Sequence, residues 1–171
     1  MSPVHTGSAA VGSEAAIAEL YKGCYRRLVR SAYALTGDLE EAQDVVQEIF
    51  AKAVAAPRKV LAADDPEAWL RTSALNLART RHRRRAWLDR FLRRSRPDPA
   101  GAPNVDRVAL LAAMKQLSPV LREAVGLFYL ADLSIDEISA ALGAPVGTVK
   151  ARLSRGRTAL ADILSVKEDD K

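Results

Sequence analysis

A single cysteine, Cys24, excludes an internal disulfide framework and any cysteine-built zinc finger. Two histidines, His5 and His82, exclude a histidine-rich metal site. No apolar run approaches the roughly 18 residues of a membrane helix. The N-terminus lacks the basic-then-apolar order of a signal peptide. Aromatic residues supply only 5% of the chain, which leaves little material for stacking on bases. What remains is an ordinary globular composition over 171 residues, 49% apolar and 27% charged. A cytoplasmic protein without membrane insertion, metal or cofactor is expected.

Lys and Arg exceed Asp and Glu by 26 to 21, a net charge of +5 that is spread very unevenly. Residues 1–70 hold seven basic and ten acidic side chains, and residues 97–171 hold nine and ten. Residues 71–96 hold ten cations, all arginine, against the single acid Asp89. The whole excess therefore lies in one short segment. Arginine pairs bidentately with phosphate and stacks on bases, so this segment points to a nucleic acid.

The chain reads as all-α. Residues 1–13 are small and turn-prone, and a disordered tail is expected there. Ile17, Leu20, Cys24, Leu28 and Leu35 recur at helical steps, which also makes Cys24 a buried structural thiol. Thr36-Gly37-Asp38 reads as a stop followed by a new N-cap. Ala42, Val45, Val46, Ile49, Phe50 and Val54 form the apolar stripe of a helix over 39–55, with Pro57 beyond its end. Residues 58–65 read as a loop. Asp65-Pro66-Glu67 opens another helix, with Asp as cap and Pro at the first position. Its expected inner face is Trp69, Leu70, Ser73, Leu77 and Thr80. Three prolines and a glycine within 97–104 mark a linker between two small helical domains, 14–96 and 105–165, with a short tail over 166–171. Fully extended, that linker spans roughly 26 Å.

Past the linker, Val108, Leu111, Ala112 and Leu117 are the inward positions of a short helix. Ser118-Pro119 begins a second. Ser134-Ile135-Asp136-Glu137 is a capping box, and Gly143 ends the short helix it starts. Pro145 opens a last helix with Val146, Val149, Leu153 and Leu160 inward. Two short helices joined by a Gly-containing turn, the second carrying Lys150, Arg152, Arg155 and Arg157, describe a helix-turn-helix. In a major groove such side chains donate to guanine edges or to phosphates.

Several segments, taken in order, carry a family resemblance. They are Leu39 to Phe50, Ala68 to Ala78 with the basic run after it, Leu117-Ser118-Pro119, Ile135 to Ile138, and Pro145 to Leu153. Over residues 15–163 the chain resembles the extracytoplasmic-function (group 4) RNA polymerase sigma factors of the sigma-70 family. The resemblance implies a region 2 helical bundle and a region 4 helix-turn-helix, acting in promoter-specific transcription initiation.

It implies that Asp44, Gln47 and Glu48, a polar face opposite the stripe of helix 39–55, bind the clamp helices of the largest polymerase subunit. Region 4 would meet the flap of the second-largest subunit. Asn76 would receive a base flipped out of the −10 element, and Arg79, Arg81, Arg83 and Arg84 would hold that strand's phosphates. Residues 56–65 would line the base pocket. Lys150, Ala151, Arg152, Ser154 and Arg155 would face the −35 duplex. An anti-sigma factor is a further implied partner. With Trp69 the one aromatic in 66–86 and expected in the core, weak intrinsic melting and a narrow promoter repertoire would follow.

A stand-alone helix-turn-helix regulator accounts for 134–162 but leaves the polar face of 39–50 and the arginine-rich helix unused. A nucleic-acid enzyme needs clustered carboxylates or a nucleophile with a base. Asp64, Asp65 and Glu67 straddle a helix start, where acids serve as caps. His82 sits among arginines that disfavour its charged form.

Overall fold

Local capping chemistry sets where the helices Leu39–Ala55, Pro66–Leu92 and Ile135–Leu142 begin. A computed structural model describes residues 6–92 and 105–168, with side chains described over 11–85 and 108–165. Eight helices and no strands occur among the described residues. The N-terminal unit is α1 (Thr6–Thr36), α2 (Leu39–Ala55), α3 (Pro57–Leu61) and α4 (Pro66–Leu92). The C-terminal unit is α5 (Val105–Gln116), α6 (Pro119–Tyr129), α7 (Ile135–Leu142) and α8 (Val146–Glu168). The linker expected at 97–104 and the extreme termini lie outside the described residues.

The Asp38 carboxylate accepts from the Glu41 backbone N–H at 3.0 Å, which starts α2, and Asp65 accepts from Ala68 at 2.9 Å to start α4. Ser134 and Glu137 form the reciprocal capping box of α7. Gly143 closes that helix in the left-handed region at φ 60, where a Cβ would be strained. Residues 57–61 are helical rather than loop. Pro57 presets the first turn, and Val60 is drawn fully into the core. Five residues are too few to display a helical period. Helix α1 begins at Thr6, seven residues before the end of the expected tail. Ala9 and Ala10 favour the helix, and extending a helix already held by packing is easier than nucleating one.

Cys24, Leu28 and Ala32 of α1 pack with Ala42, Val45, Val46 and Ile49 of α2 and with α4. The face that α4 buries is Leu70, Arg71, Ala74, Leu75 and Ala78, not the expected set. Of that set only Leu70 is fully buried; Thr80 is exposed, and Trp69 remains 38% exposed. The observed face is turned by about one residue from the expected one, and the small Ala74 and Ala78 let α4 approach its neighbours closely. Val54 and Val108 are likewise exposed, with Ala53 and Ala113 buried in their place.

In the C-terminal unit α8 is the hub, packed on α5, α6 and α7. Val149, Leu153 and Leu160 meet Val125, Leu127 and Ile138 in a core continuous with that of the N-terminal unit. The two units touch directly, α6 against α1 and α7 against α4.

Candidate polymerase and nucleic-acid interfaces

Because α2 buries Ala42, Val45, Val46 and Ile49, helical geometry turns Asp44 and Gln47 outward. Both are exposed and make no contact of polar kind with other described residues. Glu48, on the flank of the same face, is already engaged. It accepts from Lys52 Nζ at 2.6 Å and from an Arg81 guanidinium N–H at 2.5 Å. These two bonds hold its carboxyl below the usual range, that from Lys52 contributing most.

The arginines of α4 diverge because successive residues advance about 100° around the axis. Arg81 and Arg85 face α2, where Arg85 meets Glu41 at 2.5 Å. Arg79 faces α6: its Nε donates to Glu123 at 2.7 Å, and its terminal N–H donates to Asn76 Oδ1 at 3.0 Å. Arg83 and Arg84 point to solvent and pair with nothing described. The five residues expected on the −10 strand, Asn76, Arg79, Arg81, Arg83 and Arg84, therefore separate into one pair bound towards α6, one cation bound towards α2, and two that are free.

His82 lies 3.4 Å from an Arg122 guanidinium nitrogen. Burial, and then the Arg122 charge, push its pKa below the ordinary value of 6.5. The expectation that its charged form is disfavoured holds, with burial as the leading cause.

Sequence reasoning passed over an ionic cluster centred on the buried Arg71. Arg27 donates twice to Glu67, at 2.7 and 2.5 Å, and Arg71 adds a third bond at 3.2 Å. The Arg27 hydrogen bonds are the main reason that Glu67 titrates low. Arg71, 8% exposed, also reaches Glu137 of the α7 capping box at 3.4 Å. Glu67 had read only as a helix-start acid, since its partner Arg27 lies 40 residues away. Cys24 is buried, donates to the Leu20 carbonyl and has its thiol pushed up to about 11, chiefly by burial. That environment suits an inert structural thiol.

On α8, Lys150, Ala151, Ser154 and Arg155 are exposed opposite buried Val149 and Leu153, and Arg152 is half-buried. Arg155 makes one weak bond to its own helix, Nε to the Ala151 carbonyl at 3.3 Å. Lys150 and Arg152 have no partner among the described residues. The α7 cap and the αL glycine fix the approach of α7 to α8, so this face is held on a rigid platform. No helix of the described residues is long and apolar enough to cross a membrane, and they contain no cluster suited to holding a metal ion.

Comparison with known proteins bears on both units. Residues 20–88 match Sigma-70 region 2, and residues 107–160 match Sigma-70, region 4. The ECF RNA polymerase sigma factor SigE of Mycolicibacterium smegmatis is 34% identical, over 94% of this chain and 68% of that protein. The chain belongs to the extracytoplasmic-function sigma factors. SigL of Mycobacterium tuberculosis is also 34% identical, over 83% of this sigma factor and 87% of its own length. Among solved structures, the sigma factor RpoE of Bartonella quintana, in complex with the anti-sigma factor NepR, aligns with TM-score 0.68. It is 26% identical and covers 86% of this sigma factor and 98% of that chain. CnrH in complex with the cytosolic domain of CnrY aligns with TM-score 0.64 at 27% identity, covering 94% of each chain. The N-terminal unit is thus region 2 and the C-terminal unit region 4, and a stand-alone regulator is not favoured. The molecule is an RNA polymerase sigma factor.

Proposed function

We propose that the faces described above divide the work of promoter recognition. Asp44, Gln47 and Glu48 of region 2 take cations on the clamp helices of the largest polymerase subunit, while region 4 meets the flap of the second-largest. Asn76, Arg79, Arg81, Arg83 and Arg84 hold the −10 element as a single strand. Its amide lets Asn76 read a base edge, and the guanidinium groups grip phosphates. Lys150, Ala151, Arg152, Ser154 and Arg155 meet the −35 element as duplex, with Ser154 short enough to act through water. The protein works by binding and not by catalysis, in the cytoplasm and at the nucleoid with polymerase. An anti-sigma factor restrains it, as the complexes of RpoE with NepR and of CnrH with CnrY suggest by analogy.

The observation that carries this reading is the exposed, largely unpartnered face of α8, raised on a buried Val149–Leu153 stripe. The test is transcription in vitro with core polymerase on a genomic library, followed by start-site mapping. Polymerase-dependent transcripts sharing paired upstream elements are expected, together with poor DNA binding by the chain alone. No transcript from any template would overturn the reading.

A further inference from the structure

Where α1, α5 and α6 meet there is a cavity of about 30 Å³. A water-sized group needs roughly 10–15 Å³ of such space, so two or three fit. Leu111 and Met114 of α5 and Leu130 at the end of α6 give it an apolar side, and Tyr33 of α1, Lys115 and Arg122 line it as well. The Lys115 stem lies along the end of α1, since a Cβ built on Gly37 would be 3.8 Å from its Cε. The Tyr33 hydroxyl has no partner among the described residues.

Arg122 brings to this cavity a charge that no carboxylate neutralises at close range. It is half-buried, and burial pushes its pKa below the ordinary arginine value. Its guanidinium meets the Lys115 carbonyl and His82 Nε2, each at a long 3.4 Å. The adjacent carboxylate, Glu123, is taken by Arg79 at 2.7 Å. None of the residues lining the cavity is acidic. A cation partly withdrawn from water without an anion is costly, and an anion that fits beside it removes that cost.

The two kinds of wall define the ligand. Two cations and a phenol donor suit an anion, and a carboxylate takes a guanidinium bidentately. Against the apolar side, the further oxygens of a phosphate or sulfate would lack donors, whereas a short hydrocarbon end is accepted. The volume limits that end to about one or two carbons. We propose that this cavity binds a short-chain aliphatic carboxylate. Its oxygens meet Arg122, Lys115 and the Tyr33 hydroxyl, and its methyl end lies against Leu111, Met114 and Leu130. Tyr33 belongs to region 2 and the other five residues to region 4. Bound ligand therefore bridges the regions and favours molecules in which they are packed together. The sigma factor thereby responds to a small organic acid, a signal that its polymerase and promoter contacts would not read. The site does not rest on the promoter assignments above.

The test is a heteronuclear NMR titration that follows the backbone amides of the full chain as sodium propionate is added. Sodium chloride holds the ionic strength constant. For so small a ligand, saturation is expected at roughly 1–10 mM, with shifts in both 33–37 and 111–115. Arg122→Gln should weaken binding by about 10-fold or more and Tyr33→Phe by about 3-fold, with folding checked by circular dichroism. Inorganic phosphate should bind about 10-fold more weakly than propionate. Shifts that stay linear in concentration, or that sodium chloride reproduces, overturn the site, as does wild-type affinity in Arg122→Gln. Phosphate that binds as tightly as propionate overturns the carboxylate assignment. Shifts confined to 111–115 overturn the bridge. Should Arg122→Gln unfold, Tyr33→Phe and Arg122→Lys, which keeps the charge and loses the fork, decide in its place, and wild-type affinity in both overturns the site.

Discussion

The basic faces of α4 and α8 invert the order that their charge suggests. Helix α4 lies in the segment with ten arginines, yet Arg71, Arg79, Arg81 and Arg85 are each bound to a carboxylate. Helix α8 has fewer cations, and Lys150 and Arg152 have no acidic partner among the described residues. The charge that a surface offers a partner is what remains after its own acids have answered it. Glu41 and Glu48 on α2 and Glu123 on α6 answer α4, while α8 packs by apolar contact and keeps Lys150 and Arg152 free of acidic partners among the described residues.

Removing the platform of α8 should have the largest effect. Leu153→Ala empties a buried site in region 4 and should destabilise it by about 2–5 kcal/mol. Urea unfolding would show this as an early transition, with the region 2 transition little changed. A single unshifted transition would mean that α8 does not depend on its apolar stripe.

The free cations should differ in what they recognise. Arg155→Ala should weaken duplex binding of the polymerase complex by about 1–3 kcal/mol and relax preference at one base position. Arg83→Ala on α4 should weaken all single-stranded sequences alike and lower the salt slope by about 0.7. Binding across a set of point-mutated promoters at several salt concentrations separates the two patterns.

A smaller effect is expected from freeing a paired arginine. Glu48→Gln removes the charge that holds Arg81, in a pair whose side chains are about one-third exposed. The change in strand affinity should be a gain of at most about 1 kcal/mol. Affinity for core polymerase should fall in the same variant, because Glu48 serves both faces. Titration of strand and of core polymerase against the same protein would reveal whether the two effects are opposed.

The smallest effect is on pH dependence. The neutral form of His82 is favoured where it packs against Arg122, with Arg85 opposing its charge and Glu41 and Glu123 supporting it. Burial first, and then the Arg122 charge on α6, disfavour the proton, so a chain in which this contact has opened binds it more readily. The packing of α6 on α4 at His82 should therefore be fully favoured above the ordinary value of 6.5 and weaken as pH falls below it. Scattering between pH 7.5 and about 5.5 should show mild expansion in the wild type, and less in His82→Gln. Glu67 and Glu137 have lowered pKa values, and their contribution is lost only at pH below the usual carboxylate range.

Features held within one or two turns were legible without coordinates. Asp38, Asp65, the Ser134–Glu137 box and Gly143 act on backbone groups at most a few residues away, so α2, α7 and the start of α4 could be read directly. Exposure of Asp44, Gln47, Lys150 and Arg155 also followed, because strong apolar stripes on α2 and α8 dictate the opposite face. The stripe of α4 misled because two of its buried positions, Ala74 and Ala78, carry little hydrophobic signal, and a third is the charged Arg71. Its neighbours in space selected them over Trp69.

The sequence by itself determined the longer helices, the caps of α2, α4 and α7 and the outward faces of α2 and α8, since all of these follow from helical period and short-range hydrogen bonding. The exposure of Trp69 and the division of the arginines into bound and free were decided only by tertiary structure. Arg81 meets a partner 33 residues distant, Arg79 one 44 distant and Arg71 one 66 distant. No local pattern encodes such pairings; they exist because α2, α6 and α7 pack where their apolar faces take them, and the carboxylates arrive with the helices.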